Sequence, residues 1–548
     1  MSKPSSNKQN FLYGASILLI ANLLVKVIGA FFKIPLQHIV GDEVMGYYNA
    51  AYQIYALFFM ISTAGLPVAV SKMIAQSEAR GRAKEVERIF RIAKRVFFSL
   101  GLFLTLLMLL FARQIANWSG SADRYMVIMT IAPSVFFISL VSAYRGYYQG
   151  QQDMVPTSVS QVIEALTKLI LGLIVGYIGM KAGLSAPAVA SLIIGAVTLS
   201  VIFSFVYLVL RTNNYRRNHP LTHRCGDTNC ESPNALIKKL IYIAIPITIS
   251  ASILNLTSVI DSMFVVKCLK SLGEPYTESV ATSMYGAYTT MSVTIFNMPT
   301  TLIYPISISI LPMISAALAV GKNREIVEAK NRAFRMVSII VFPAAFGVGV
   351  LAKPILKLLF SNNQIKGTDI YPVDIAGPSL SILAISIVFV GFISITGAML
   401  QAHGYEKKSI ISNGLGVLAK FIFELILLNI PSIGIYGAPI STTICYFVML
   451  ACNLFFLAKY TSYLPYIKDT LMKPFISSVL CGLTALAVYK LTSSLIGFRI
   501  STVFSIIIAG IVYVLVLFAI KGISKEDILQ FPKGDKIFVL LQKVRLVK

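Results

Sequence analysis

Charge is what this sequence has least of. Only 13% of its 548 residues are Asp, Glu, Lys or Arg, against 56% hydrophobic residues and a mean hydropathy of +0.76. Soluble globular chains run at about 25% charged residues, so a water-soluble fold of this length is excluded. The six cysteines (225, 230, 268, 445, 452 and 481) show no extracellular pairing pattern, which argues against a disulfide framework. Period-two alternation is missing from the apolar runs, and that excludes a transmembrane strand barrel. The connections expected outside are short and lack clustered carboxylates or a nucleophile beside a base. That argues against a membrane glycosyltransferase or ligase, and the chain reads as a non-enzyme. A cleavable signal peptide is not expected either, because the first apolar run is too long and has no small-residue cleavage site.

What the sequence does have is length in its apolar runs. About 20 apolar residues span a bilayer as helix, and 14 such stretches occur, at roughly 11–37, 47–70, 90–111, 125–149, 157–180, 187–210, 238–266, 284–318, 333–352, 375–401, 410–430, 435–458, 473–491 and 500–521. The expectation is an all-α polytopic membrane protein with 14 transmembrane helices. Its formal net charge of +25 suggests nucleic acid until its placement is considered. Lys and Arg fill alternate connections, with Arg80, Arg82, Lys84, Arg88, Arg91 and Lys94 in one of them, whereas 38–46, 181–186 and 431–434 are nearly free of cations. By the positive-inside rule the connections at 71–95, 211–239, 321–335 and 403–408 are cytoplasmic, as are both termini. The basic tail from Lys533 to Lys548 then rests on anionic headgroups rather than nucleic acid.

The chain repeats itself. Gly46/Gly286, Tyr48/Tyr288, Met73/Met313, Glu85/Glu325 and Arg95/Arg335 match at an offset of 240, which grows to 252 by Gln149/Gln401. Each copy holds six spans, an even number, so both insert with the same orientation, as in parallel-repeat transporters. The expected organisation is an N-lobe at 1–211, a cytoplasmic linker at 212–237, a C-lobe at 238–460, and a final segment at 461–548 with spans 13 and 14 and the basic tail. The last two spans lack charge from Pro474 to Tyr489 and from Ser501 to Ile520, which suits lipid or a lipid-like ligand.

The candidate functional residues are those in the wrong solvent. Lys168 and Lys420 each stand 19 residues after the Gln149/Gln401 pair, flanked by apolar residues, where a cation costs ~2.5–3.5 kcal/mol on insertion scales. On span five Gln161, Glu164 and Lys168 form one stripe; on span eleven Asn413, Lys420 and Glu424 form another. Each lysine has a carboxylate four residues away, so an intrahelical ion pair is the structural alternative to a cavity role. Span one adds Lys26 and, on the same face seven residues later, Lys33. Asp261 on span seven is a deep carboxylate that either pairs with a lysine or binds a coupling ion, sodium or proton. Arg145 and Gln149 close span four at the cytoplasmic mouth, as headgroup anchors or ligand contacts. In the linker, His219, His223, Cys225 and Cys230 form a ligand set that tetrahedral zinc accepts, although the spacing matches no standard finger.

The stretches VKVIGAFFKIPLQHIVG (25–41), GLPVAVSKMIA (65–75) and RGYYQGQQDMVPTSVSQVIEA (145–165) resemble the MurJ and stage V sporulation protein B branch of the multidrug/oligosaccharidyl-lipid/polysaccharide exporters. The resemblance covers nearly the whole chain. It implies a monomeric flippase of the bacterial cytoplasmic membrane that moves undecaprenyl-pyrophosphate-linked peptidoglycan precursor outward through a two-lobe cavity, with the last two helices forming a groove for the lipid tail. Lys26 matches a family cavity arginine in charge only, the next family arginine falls at Phe32, and further basic positions fall near Phe59 and near Thr289 or Thr290. A lipid-linked glycan flippase, with Lys26, Lys168 and Lys420 converging on the pyrophosphate, is therefore weighed against a cation-coupled multidrug exporter and a membrane enzyme or scaffold. A drug-cation exporter wants unpaired carboxylates, and here deep lysines equal them in number.

Overall fold

The computed structural model describes residues 6–218, 231–319, 323–466 and 468–522. Among the described residues every regular element is helical, and 12 helices are long and apolar enough to cross a membrane. The chain is a multi-pass helical membrane protein. It folds as two compact units, Met1–Gly286 and Ala287–Lys548. The first thus runs past the linker expected at 212–237 and takes in the seventh apolar span.

In the first unit, α1 (Ser6–Thr63) has 58 residues. At 1.5 Å per residue such a rod would be about 87 Å long, some three bilayer cores. It is broken instead at Gly41, whose φ of +77° is open to glycine and strained for other residues, and the break falls between the first two expected spans. Next come α2 (Gly65–Ala79), α3 (Ala83–Leu110), the short α4 (Ala112–Trp118), α5 (Arg124–Gly150), α6 (Val155–Lys181), α7 (Ala186–Asn218), α8 (Pro233–Ser271) and α9 (Glu278–Ala287). Within the unit α5 is central, touching α1, α2, α3 and α7, with 61% of its apolar window buried against 22% for α6. Hydrophobic burial drives little association when the solvent is itself apolar, so small residues and satisfied polar groups do the joining. Ser139 and Ser142 of α5 turn their hydroxyls back onto the carbonyls of Val135 (2.7 Å) and Ile138 (2.8 Å). Gly46 and Gly286, equivalent positions of the repeat, face each other, so that a Cβ on Gly286 would lie 2.8 Å from the Gly46 nitrogen.

α8 begins where Ser232 caps it, accepting from the Ala235 amide at 3.3 Å, with Pro233 in its first turn. That start is fixed to the first two turns of α3. Arg88 donates to the Glu231 carbonyl at 2.9 Å, and the Glu231 amide donates to the Glu85 carboxylate at 3.3 Å.

The second unit opens with a π-helical turn, Tyr288–Ser292, then α10 (Val293–Ala319), α11 (Asn323–Val350), α12 (Ala352–Leu359), α13 (Pro372–Ala402), α14 (Glu406–Leu428), α15 (Gly437–Thr461), α16 (Lys473–Ile496) and α17 (Phe498–Ala519). The final pair packs on itself and on α11 around Cys481, Ala485, Ala509 and Leu517, and Tyr513 donates to the Ile339 carbonyl at 2.8 Å.

Candidate functional site: lysines on α1 and α6

The approach of α6 to α1 creates the site. Gly172 and Gly176 stand on the face of α6 that meets α1; a Cβ on Gly172 would lie 2.7 Å from the Phe32 ring, and one on Gly176 would lie 3.2 Å from Leu36. With nothing but hydrogen in the way, the helices close up, and the next residue up that face, Lys168, is laid over aromatic rings. Its Nζ sits 5.7 Å from the Phe32 centroid and 5.8 Å from that of Tyr52. Lys33 follows Phe32 on α1, half-buried, close enough to feel the Lys168 charge. Among the described residues neither Lys33 nor Lys168 lies within ion-pair distance of a carboxylate. Lys26, two turns earlier on α1, is exposed.

The carboxylate expected to neutralise Lys168 is engaged elsewhere. Glu164 receives Arg145 of α5 at 3.0 Å, and the same guanidinium donates to Ser160 (3.0 Å) and Ser204 (3.3 Å), tying α5, α6 and α7 together. Arg145 is thus a cross-helix partner rather than a headgroup anchor. Gln161, one turn before Glu164, holds a buried amide oxygen with no donor, and Gln149 is half-buried at the end of α5. Asp261, 7% exposed, is enclosed on α8 within the first unit.

The second stripe has a different environment. Asn413, Lys420 and Glu424 are all buried on α14 against α15. The Lys420 ammonium donates to Thr442 at 2.7 Å and pairs with Glu424 at 3.6 Å, while Ser441 donates to the same carboxylate at 3.3 Å. The intrahelical pair therefore forms here and is absent at the matching position of the first unit. Lys420 has no exposed surface. The His219, His223, Cys225 and Cys230 cluster lies outside the described residues, as does the tail from Lys533. Among the described residues no group of His, Cys, Asp or Glu is arranged to hold a metal ion.

Two ammonium groups within reach of each other's charge, neither with a carboxylate, repel each other in apolar surroundings and gain by sharing an anion. Residues 11–318 match the family model described as polysaccharide biosynthesis protein, which is more than half of the chain. The chain belongs to this family. Members of known name extend the likeness to the full length. Stage V sporulation protein B of Bacillus subtilis is 24% identical over 97% of this chain and 99% of its own, and Lipid II flippase MurJ of the same organism is 23% identical over 89% and 90%. The fold is shared with a solved structure of Lipid II flippase MurJ in an inward closed conformation, with a TM-score of 0.67 and 17% identity over 91% of this chain and 97% of that one. A multidrug resistance MATE family transporter, inward-facing, gives 0.65 and 14% over 80% and 94%. The same fold thus occurs in a solved structure of Lipid II flippase MurJ and in one of a multidrug resistance MATE family transporter.

Sequence reasoning misses three residues. Of the rings under Lys168, it does not single out Tyr52 and marks Phe32 only as the place where a family arginine falls, and it does not single out Arg124 either, fully buried at the first residue of α5.

Proposed function

We propose that the chain is a flippase for a pyrophosphate-linked lipid glycan, lipid II or a related undecaprenyl-linked oligosaccharide, working by alternating access with both termini in the cytoplasm. The observation that carries this reading is the Lys33 and Lys168 pair, two cations on packed helices α1 and α6 within reach of each other's charge, while Glu164, the acid four residues from Lys168, is held by Arg145. A pyrophosphate must shed water to cross, and fixed cations in a low-dielectric setting replace part of that hydration. Lys26 extends the positive track along the same helix. Lys420, enclosed with Glu424 and Thr442, is assigned to holding α14 on α15.

A cation-coupled multidrug exporter is the competing reading. Such a protein needs membrane carboxylates open to a cation, yet Glu164 is engaged by Arg145, and Glu424 by Lys420 and Ser441. The deciding experiment expresses the chain in a bacterium depleted of its lipid II flippase. Lys33→Ala and Lys168→Ala should reach the membrane yet fail to support growth, with undecaprenyl-linked precursor accumulating on the cytoplasmic side, and Lys168→Arg should retain more function. Full complementation by both alanine variants would end the assignment.

A further inference from the structure

The first unit holds a second polar site that the lysine pair does not use. At the membrane end that the charge pattern places outside, a cavity of about 350 Å³ opens between the α4–α5 turn and the junction of α8 with α9. Asn117, Gly120, Ser121, Lys267, Lys270 and Glu278 line it. Gly120 is forced by the closeness of α8, since a Cβ there would lie 2.7 Å from the Lys267 Cα. Lys270 spans the opening, donating to the Gly120 carbonyl at 2.8 Å and to Glu278 at 2.6 Å. Lys267 is exposed and makes no ion pair among the described residues.

Two buried donors, one in this lining and one near it, are not fully bonded. Ser121 is 1% exposed, and its Oγ sits near Tyr47 and Glu278 in hydrogen-bond geometry with neither. Arg124 is fully buried at the start of α5. One terminal nitrogen donates to the carbonyls of Ser119 (2.7 Å) and Ser262 (3.0 Å), while Nε and the other terminal nitrogen have no acceptor. Buried donors are almost always satisfied, and this guanidinium, 5.8 Å from the Tyr285 ring centroid, keeps two of its three nitrogens without an acceptor. Two cations, Lys267 and Lys270, line a cavity whose lining carries one acid, Glu278; Arg124 is buried three residues beyond the lining residue Ser121, and Asp123 is exposed and outside the lining.

We propose that this cavity binds a phosphate group on the outer side of the membrane, with Ser121 and Lys267 as its donors and the buried Arg124 adding positive charge nearby. A phosphate supplies several acceptor oxygens and more than one negative charge, which matches an unfilled hydroxyl and an unpaired ammonium beside further cations better than a carboxylate does. The same chemistry is offered by an anionic lipid headgroup and by free pyrophosphate.

The chain carries its own reporter, because its single tryptophan, Trp118, lies between the lining residues Asn117 and Gly120. Full-length protein in zwitterionic phosphatidylcholine nanodiscs is titrated with inorganic pyrophosphate, and Trp118 emission is followed. A saturable change is expected, weakened by roughly 2–5-fold in Lys267→Gln and by roughly tenfold in Ser121→Ala. Should nanodiscs containing phosphatidylglycerol give the change by themselves and abolish the pyrophosphate response, the site takes a headgroup; if pyrophosphate alone acts, it takes the free anion. No saturable change with either probe, or one that both variants leave unaltered, overturns the proposal.

Discussion

Replacing Lys420 by alanine shows what an enclosed ammonium does for this fold. Lys420 and Glu424 expose 1% and 0% of their side chains, 3.6 Å apart, and the ammonium is bonded to Thr442 at 2.7 Å. Removing the cation leaves a carboxylate buried without its counter-charge, a change that costs ~3–5 kcal/mol. At 1.4 kcal/mol per factor of ten, the ratio of folded to unfolded protein falls by roughly a hundred- to several-thousandfold. Replacing both partners with apolar residues of similar size, Lys420→Met with Glu424→Leu, removes the stranded charge and should be neutral or stabilising by ~1–4 kcal/mol. Abundance in the membrane and thermal unfolding of detergent-extracted protein measure the effect. The single variant should be scarce and melt early, and the double variant should recover on both counts. Wild-type abundance and melting for Lys420→Ala, or a double variant no better than the single one, would refute the reasoning.

Four further outcomes follow from the geometry. Arg145→Ala should release Glu164 to pair with Lys168 one turn away and so abolish complementation, and adding Glu164→Gln should restore part of it. Gly172→Leu should drive α6 from α1 and reduce folded yield, whereas Gly29→Ala, with nothing within 4 Å of the new methyl, should be neutral or stabilising by ~0.5–1 kcal/mol in thermal unfolding. Burial, followed by the nearby Lys330 ammonium, pushes His403 down to about 4 from its ordinary 6.5; the unfolded chain then binds the proton more readily, so stability should fall as pH drops from 6.5 towards 4, and His403→Gln should flatten that stretch of the melting profile. In a cysteine-free background, cysteines at Gly183 and Ser432 should label from outside sealed cells while one at Asn323 should not.

Most of the architecture was legible because the apolar runs are long and the bilayer fixes their length. The repeat was legible because residues such as Gly46 and Gly286 recur at an offset of 240 that grows only to 252 by Gln149 and Gln401. Pairing was not. Sequence spacing treats Glu164 with Lys168 and Glu424 with Lys420 as the same motif, and only the second pair forms, because α5 brings Arg145 to Glu164 from another helix. Spacing along one helix carries no information about that third partner. Arg124 escaped notice for a related reason, since a cation at the end of an apolar run looks like an interfacial anchor until α8 is seen to cover it. The division into compact units depends on α8 packing on α1 and α2, a tertiary preference that the long polar linker before it conceals.

If the chain carries a pyrophosphate-linked lipid as proposed, the rings beneath Lys168 bear on the timing of its entry. Had Glu164 been its partner, every arriving anion would have had to evict a carboxylate first, and entry would be an exchange reaction with its own barrier. Phe32 and Tyr52 hold the ammonium by the weak pull of their faces, about 0.5–1 kcal/mol where water reaches and about 2 kcal/mol where it does not. Under the proposed function, an aromatic cradle of that strength would keep the charge in place between turnovers and would yield to a phosphate without a competing anion having to leave.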